Sequence, residues 1–352
     1  MAHAAALLLG GTADPALSAA AAISVDERLD APARYAIRLP AGVTDGDLPL
    51  LADARLDPGA QVTIVAQTAK LRACLVSGPV TGHKIELVHG GGHSTVTVQG
   101  ADAAIALDRE DRAEVWRDVT DASVVSTIAS RNALTADVET TATSHAEDGH
   151  ALVQRETDLA LVRRLARRNG CSWWISATEE GIGTLHFRSP PVGDAPAGEL
   201  VINLATPSVE RLEITFDMER PTSVASRQVD PRSKEIFDGA ASASPLSPLG
   251  ATAFAAIATG TRQAWLSAAT DDAADLRARG AALLGAASFF VRASGSTTVE
   301  RAGVILRPGA VVTLRGAGSR HSGPWLCAGV HHAIDDGGHA MGFELVRNGW
   351  GA

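Results

Sequence analysis

The residues equipped for chemistry are few and scattered. Cys171, His186 and Asp158 supply the types of a nucleophile, a base and an orienting carboxylate. Cys171, however, alternates with Trp173 and Ile175, which places it on the inward face of a strand as a buried structural thiol. His321, His331, His332 and His339 are of metal-ligand type. His331 and His332 are adjacent, and on a strand they point to opposite faces, so one ion cannot easily take both. Gly90-Gly91-Gly92 has the composition of a phosphate loop, but no Lys-Ser/Thr follows and no helix opens there. A hairpin turn is the better reading. Glu179-Glu180 and Asp335-Asp336 fall in predicted turns, where solvated carboxylates are ordinary. Arg163, Arg164, Arg167 and Arg168 could meet an acidic partner, although a solvated helix face is the commoner use. The residues therefore point to no enzyme: no catalytic, cofactor-binding or metal-binding residue is expected, and no cofactor.

The elements that would position any site follow from composition. The chain has 352 residues, enough for two or more domains. A hydrophobic share of 45% with 20% charged residues suits well-buried globular domains. The net charge of -9 argues against specific nucleic-acid binding. Cys74, Cys171 and Cys327 are far apart and odd in number, so no disulfide framework or zinc ribbon follows and a reducing compartment is expected. Met1–Ile23 is rich in Ala and Leu but lacks a basic start, and Gly10-Gly11, Asp14 and Pro15 interrupt it, so a signal peptide is not expected. No apolar run approaches the roughly 18–20 residues of a membrane span, so no membrane anchor is expected.

Residues 20–110 read as short strands punctuated by Pro40-Ala41-Gly42, Pro58-Gly59 and Gly90-Gly91-Gly92. This spacing favours a barrel or sandwich. Residues 111–200 differ. Thr120 can cap one helix, and a second helix is predicted over 157–169. Thr157 would cap it, Leu161, Val162, Leu165 and Ala166 would form its buried stripe, and Asn169-Gly170 would stop it. A hairpin is predicted over 171–188, with Trp173 or Trp174 buried under that helix. Residues 201–352 return to strands, with a flexible loop over Asp238–Gly250 and helix over Ala253–Ala287. The domain reading is a first tube-like β-barrel over 1–110, a middle α+β domain over 111–200, and a second tube-like β-barrel over 201–352. The second barrel carries a loop and helical insertion at about 238–290.

A duplication supports two similar barrels. Leu56-Asp57-Pro58-Gly59-Ala60-Gln61-Val62-Thr63-Ile64 recurs as Leu306-Arg307-Pro308-Gly309-Ala310-Val311-Val312-Thr313-Leu314. Leu75-Val76-Ser77-Gly78 then matches Leu326-Cys327-Ala328-Gly329, and Gly91-Gly92-His93 matches Gly337-Gly338-His339. The expected fold class is mainly β with an α+β insert: two similar antiparallel tube-like barrels plus a helix/hairpin middle domain. Three such chains around an axis would present six quasi-equivalent barrels, able to meet a six-fold ring on one side and a three-fold object on the other.

The run Glu156-Thr157-Asp158 through Arg164-Leu165 to Gly170, followed by Trp173-Trp174-Ile175, resembles a segment of phage late control protein D and of the head of VgrG spikes. Arg307-Pro308-Gly309, Gly323-Pro324-Trp325, Val330-His331-His332 and Phe343–Arg347 resemble that family's ending. His339-Ala340-Met341 departs from the family's Gly-Tyr-Thr. The resemblance implies a structural baseplate hub of a contractile phage tail or contractile injection system. It would trimerise and join the hexameric tail tube to the trimeric central spike. The implied partners are the tail tube protein, a spike protein and baseplate wedge or LysM-like proteins. Because VgrG chains continue past this point into an OB-fold and a needle, a separate spike polypeptide is expected. Assembly is expected in the bacterial cytoplasm, within the baseplate of a phage tail or extracellular injection particle. The alternatives are a hub-derived adaptor for effector loading and an unrelated hydrolase.

Overall fold

Period-two burial sets the first half of the molecule. In a computed structural model, residues 4–89, 93–147, 151–229, 234–268, 270 and 273–352 are described. The first strands are β1 (Ala5–Leu9), β2 (Ala22–Arg28), β3 (Arg34–Pro40), β4 (Gln61–Gln67), β5 (Arg72–Glu86) and β6 (Thr95–Ala101). Ile23, Val25, Tyr35, Ile37 and Leu39 point inward at alternate positions and share a core with Ile64 and Val98. The leader-like apolar run is itself structural: β1 buries Ala5, Leu7 and Leu9 and pairs antiparallel with β4.

The middle segment contains β7 (Asp111–Trp116), α1 (Asp121–Arg131), β8 (Thr135–Val138), β9 (Leu152–Thr157), α2 (Asp158–Asn169), β10 (Ser172–Ala177) and β11 (Gly183–Arg188). Thr120 caps α1 in a reciprocal box with Ser123. At α2, the Thr157 hydroxyl accepts from the Ala160 N–H at 3.1 Å, and Gly170 ends the helix at φ +68°. Asp158 lies in the first turn of α2 and Arg167 and Arg168 in the last, complementing the helix dipole. Leu161, Val162, Leu165 and Ala166 pack on Trp173, Leu185 and Phe187. Trp173 is the tryptophan buried there, while Trp174 faces the other side of the hairpin and packs against Gly309.

The second half opens with β12 (Glu199–Val201) and β13 (Arg211–Phe216). An insertion follows: β14 (Ser223–Val229), β15 (Ile236–Ala241), β16 (Gln263–Leu266) and α3 (Ala273–Ser288). The structure differs here from the sequence reading. Asp238–Ala241 belong to β15, paired with β14, and Gln263–Leu266 run parallel to β14 as a strand. The small residues are packing residues, not linker. A Cβ on Gly239 would lie 2.7 Å from the Leu276 side chain, and Gly285 of α3 faces Pro245. The chain closes with β17 (Val291–Thr298), β18 (Val311–Arg315), β19 (Gly323–Asp335) and β20 (Gly338–Arg347).

The two halves share a strand order. It is β2-β3-β6-β5-β4-β1 in the first and β13-β17-β20-β19-β18-β12 in the second. Equivalence reaches single hydrogen bonds. Gly59, at φ +89°, donates to the Val80 carbonyl at 2.8 Å, and Val80 donates to Ala60 at 2.9 Å. Gly309, at φ +83°, donates to Cys327 at 2.9 Å, and Cys327 donates to Ala310 at 2.8 Å. Pro-Gly serves both turns because glycine takes that backbone conformation without a Cβ clash. Each long hairpin then slips register at the matching place, Val80/Gly82 against β6 and Cys327/Gly329 against β20. One departure is that β1 runs antiparallel to β4 while β12 runs parallel to β18. The Gly90-Gly91-Gly92 turn lies outside the described residues.

Among the described residues the two similar halves form one 13-stranded sheet, joined where β19 pairs antiparallel with β2 from Gly329–Arg28 to Ile334–Ile23. The second half keeps its own core, around Phe290, Trp325, Phe343 and Leu345. Trp173→Ala should cost about 3–5 kcal/mol of stability. Trp173→Phe should cost far less, because the buried indole N–H has no partner to lose. Urea denaturation of the two variants checks this.

Candidate functional site

The structure does not bring Cys171, His186 and Asp158 together. The Cys171 thiol is pushed up to about 12 by burial, and its Sγ lies 3.9 Å from the Asn169 carbonyl. Asp158 is buried at the start of α2, where its carboxylate accepts from Gln154 at 2.9 Å, Asn132 at 3.3 Å and Arg131 at 3.4 Å. That is a helix-fastening role. His186 instead joins two residues that sequence reasoning passed over. Its Nδ1 lies 2.7 Å from Asp137 Oδ2 and its Nε2 lies 2.7 Å from Ser176 Oγ.

This Ser176–His186–Asp137 chain has the distances of a nucleophilic triad. It arises because β8, β10 and β11 present these side chains on one face. Its surroundings are those of a surface polar row. The Trp174 ring stacks on the imidazole at 4.6 Å and 11°. Three cavities of about 570–980 Å³ are lined by other residues. No signal in the sequence could have found it, since Asp137 and Ser176 meet only through strand pairing. Hydrolysis of an activated ester by the protein should match the buffer rate, and Ser176→Ala should leave it unchanged.

The histidines separate by face, as adjacency on a strand requires. His331 is exposed and pairs with Asp26 at 2.6 Å, whereas His332 is buried. His321 packs edge-on against Trp350 at 5.1 Å. No group of three or more metal-ligand side chains that could hold an ion is found among the described residues. The arginines of α2 divide as well. Arg163 lies over the Trp173 ring at 5.5 Å, and Arg164 pairs with Glu156 at 2.7 Å. Arg168 sits between Asp121 and Asp275, at 3.2 Å from each, while Arg167 is exposed. Together with Cys171, Leu283 and Phe289, these arginines line a groove of about 810 Å³. Glu179 is more than a solvated turn residue, since it pairs with Arg72 at 2.7 Å and ties the middle hairpin to β5. Asp335 accepts from the Gly337 N–H at 2.8 Å within its turn.

The most organised polar cluster lies at the join of the two halves. His332 Nε2 contacts Glu27 Oε2 at 3.0 Å, and His332 Nδ1 contacts His339 Nε2 at 2.9 Å. Arg307 donates to Glu27 at 2.7 Å and to the Cys74 carbonyl at 2.6 Å. β2, β19, β20 and the repeated Pro-Gly loop thus all contribute. Burial would raise the Glu27 carboxyl, but Arg307 and His332 outweigh it and hold the group below the usual carboxylate range. Burial, helped by His332, lowers His339 to about 4.

A depressed histidine stays neutral in the fold while the unfolded chain takes up a proton, so its contribution is lost as pH falls from about 6.5 toward 4. Over that interval, at about 1.4 kcal/mol per pH unit, His339 removes roughly 3 kcal/mol. Asp102 acts oppositely. It accepts from the Ala33 N–H at 2.8 Å, and burial pushes it up to about 7, so it favours the fold on acidification. The stability advantage of the native protein over His339→Gln isolates the histidine. It should shrink by roughly 3 kcal/mol between pH 7 and 4 in urea titrations.

The sequence matches the family described as the Alg8 N-terminal domain over residues 3–336. The chain belongs to the Alg8 N-terminal domain family. No curated protein matches the sequence. Among solved structures, the chain is similar to a 43 kDa tail protein of prophage MuSo2 from Shewanella oneidensis. The TM-score is 0.71 at 14% identity, covering 99% of each chain. It is similar to a tail protein from Neisseria meningitidis MC58, with TM-score 0.65 and 14% identity over 98% of this chain and 96% of that one. It is also similar to an Escherichia coli component of the type VI secretion system, with TM-score 0.58 and 14% identity over 94% and 73%. The chain therefore has the fold of phage tail and injection-system proteins, mainly β with an α+β insert. No helix among its described residues is long and apolar enough to cross a membrane.

Proposed function

We propose that the chain is a structural, non-enzymatic baseplate hub of a contractile phage tail or contractile injection system. The reading rests on one observation: a single chain holds two half-barrels with the same strand order, the same Pro-Gly hydrogen bonds and the same register slip. A homotrimer of such chains offers six similar units to a hexameric tail tube and three-fold symmetry to a central spike. The tail-protein fold and the resemblance to late control protein D and the VgrG head support the same role. On this proposal the three domains divide near residues 110 and 200. The partners are the tube protein, the spike, and wedge or LysM-like baseplate proteins. The particle forms in the bacterial cytoplasm without a membrane anchor.

Such a hub works mechanically, through large multivalent contacts, and needs no reactive group. The basic groove along α2 favours, as a second reading, an adaptor that holds an acidic effector during loading. Native mass spectrometry of the chain, alone and with its tube and spike partners, tests the proposal. The expected species carries three copies of the 36.3 kDa chain. A strict monomer under both conditions would overturn it.

A further inference from the structure

The internal join between the halves has an unused counterpart. β19 receives β2 along Gly329–Ile334. By the shared register, Val80 stands where Cys327 stands, so Gly82–Glu86 of β5 and the following Leu87 form the stretch equivalent to Gly329–Ile334. There β5 pairs with β6 on one side, and its pairing with β4 ends at Pro79. By the same register, β13 is the equivalent of β2, with Leu212, Ile214 and Phe216 in the places of Ile23, Val25 and Glu27. Among the described residues, β13 pairs only with β17 and ends the sheet.

We propose that the open edge of β5 with the residue that follows it, 82–87, takes the open edge of β13 with the residue that follows it, 212–217, from a second copy of this chain, in the register that β19 and β2 use internally. This deepens the three-fold hub reading and rests on it. Ile85 then faces Ile214, Leu87 faces Leu212, His83 faces Phe216 and Lys84 faces Thr215.

The apolar pattern supports this occupant. At the internal join, Val25 and His332 are 0% exposed and Ile334 is 4% exposed. The counterparts of His332 and Ile334 at the open edges are Ile85 at 45% and Leu87 at 62%, the counterpart of the buried Glu27 is Phe216 at 58%, and that of Val25 is the half-buried Ile214. Alternate apolar residues on an unpaired edge are a liability that proteins cover or pair. A second copy covers both sets at once, on one face and in phase. On the outer face, Glu86 stands opposite Glu213. Lys84 and Arg211 are the diagonal neighbours that balance those carboxylates. The contact runs head to tail, so each copy uses both edges and closure at three leaves none open.

Directly opposed residues lie about 4.5–5.5 Å apart between Cα atoms, within disulfide reach, and adjacent pairs alternate in geometry. Two double variants therefore test the register: Ile85→Cys with Ile214→Cys, and Lys84→Cys with Thr215→Cys. Lys84→Cys with Arg211→Cys is displaced along the same face and serves as the control, alongside single-cysteine variants. Under mild oxidation the purified full chain should form a reducible, fully linked trimer in at least one in-register variant and not in the control. A native trimer without in-register linkage, or with equal linkage in the control, overturns the pairing and leaves the hub reading standing. In-register linkage into open chains that never close at three supports the pairing and removes the three-fold hub. No association at all overturns both. Ile214→Lys should yield a monomer with unchanged secondary structure by circular dichroism, and a persistent trimer in that variant also contradicts the pairing.

Discussion

The antiparallel pairing of β2 with β19 is the interaction on which this architecture depends. It joins segments 305 residues apart and turns two separate half-barrels into one sheet. Its backbone bonds alone would leave direction and register to compete with other edges. The buried cluster at the join adds specificity: Glu27 comes from one half, while Arg307, His332 and His339 come from the other. A buried carboxylate is costly without partners, so a slipped register would strand Glu27 and be penalised. The Arg307 bonds to the Cys74 and Leu75 carbonyls carry the same fastening across to β5.

Fixing the halves in this relation also fixes their unlike features. The middle segment is held to the first half by Arg72–Glu179 and by Asp30, whose carboxylate accepts from the Trp173 N–H at 3.0 Å. It is held to the insertion by Arg168 and Asp275. The α+β segment therefore sits in a defined place against both halves. On the proposed hub reading, two nearly equivalent units with dissimilar attachments suit a part that looks six-fold from one side and three-fold from the other.

Much of this was legible where local chemistry decides structure. Thr157, the Leu161–Ala166 stripe and Gly170 delimit α2 without reference to the rest of the chain. Pro58-Gly59 and Pro308-Gly309 mark the duplication because one backbone need selects the same residues twice. Legibility failed where distant pairing decides. Ala5–Leu9 looks like a leader until β4 is placed beside it. Gly239, Ala240 and Ala241 look like linker until α3 lies on them. Ser176, His186 and Asp137 come from three strands, and Glu27 gives no sign of Arg307. The continuity of the sheet across both halves was invisible for the same reason.

The central claim is that the two halves occupy equivalent positions in a closed ring. Cryo-electron microscopy of the purified assembly, reconstructed without imposed symmetry, tests it most directly. The expected map shows six half-barrels at one radius, alternating between first and second halves about a three-fold axis, with α2 and the insertion repeating three times. A map in which only one half lines the ring and the other lies at a different radius would contradict it.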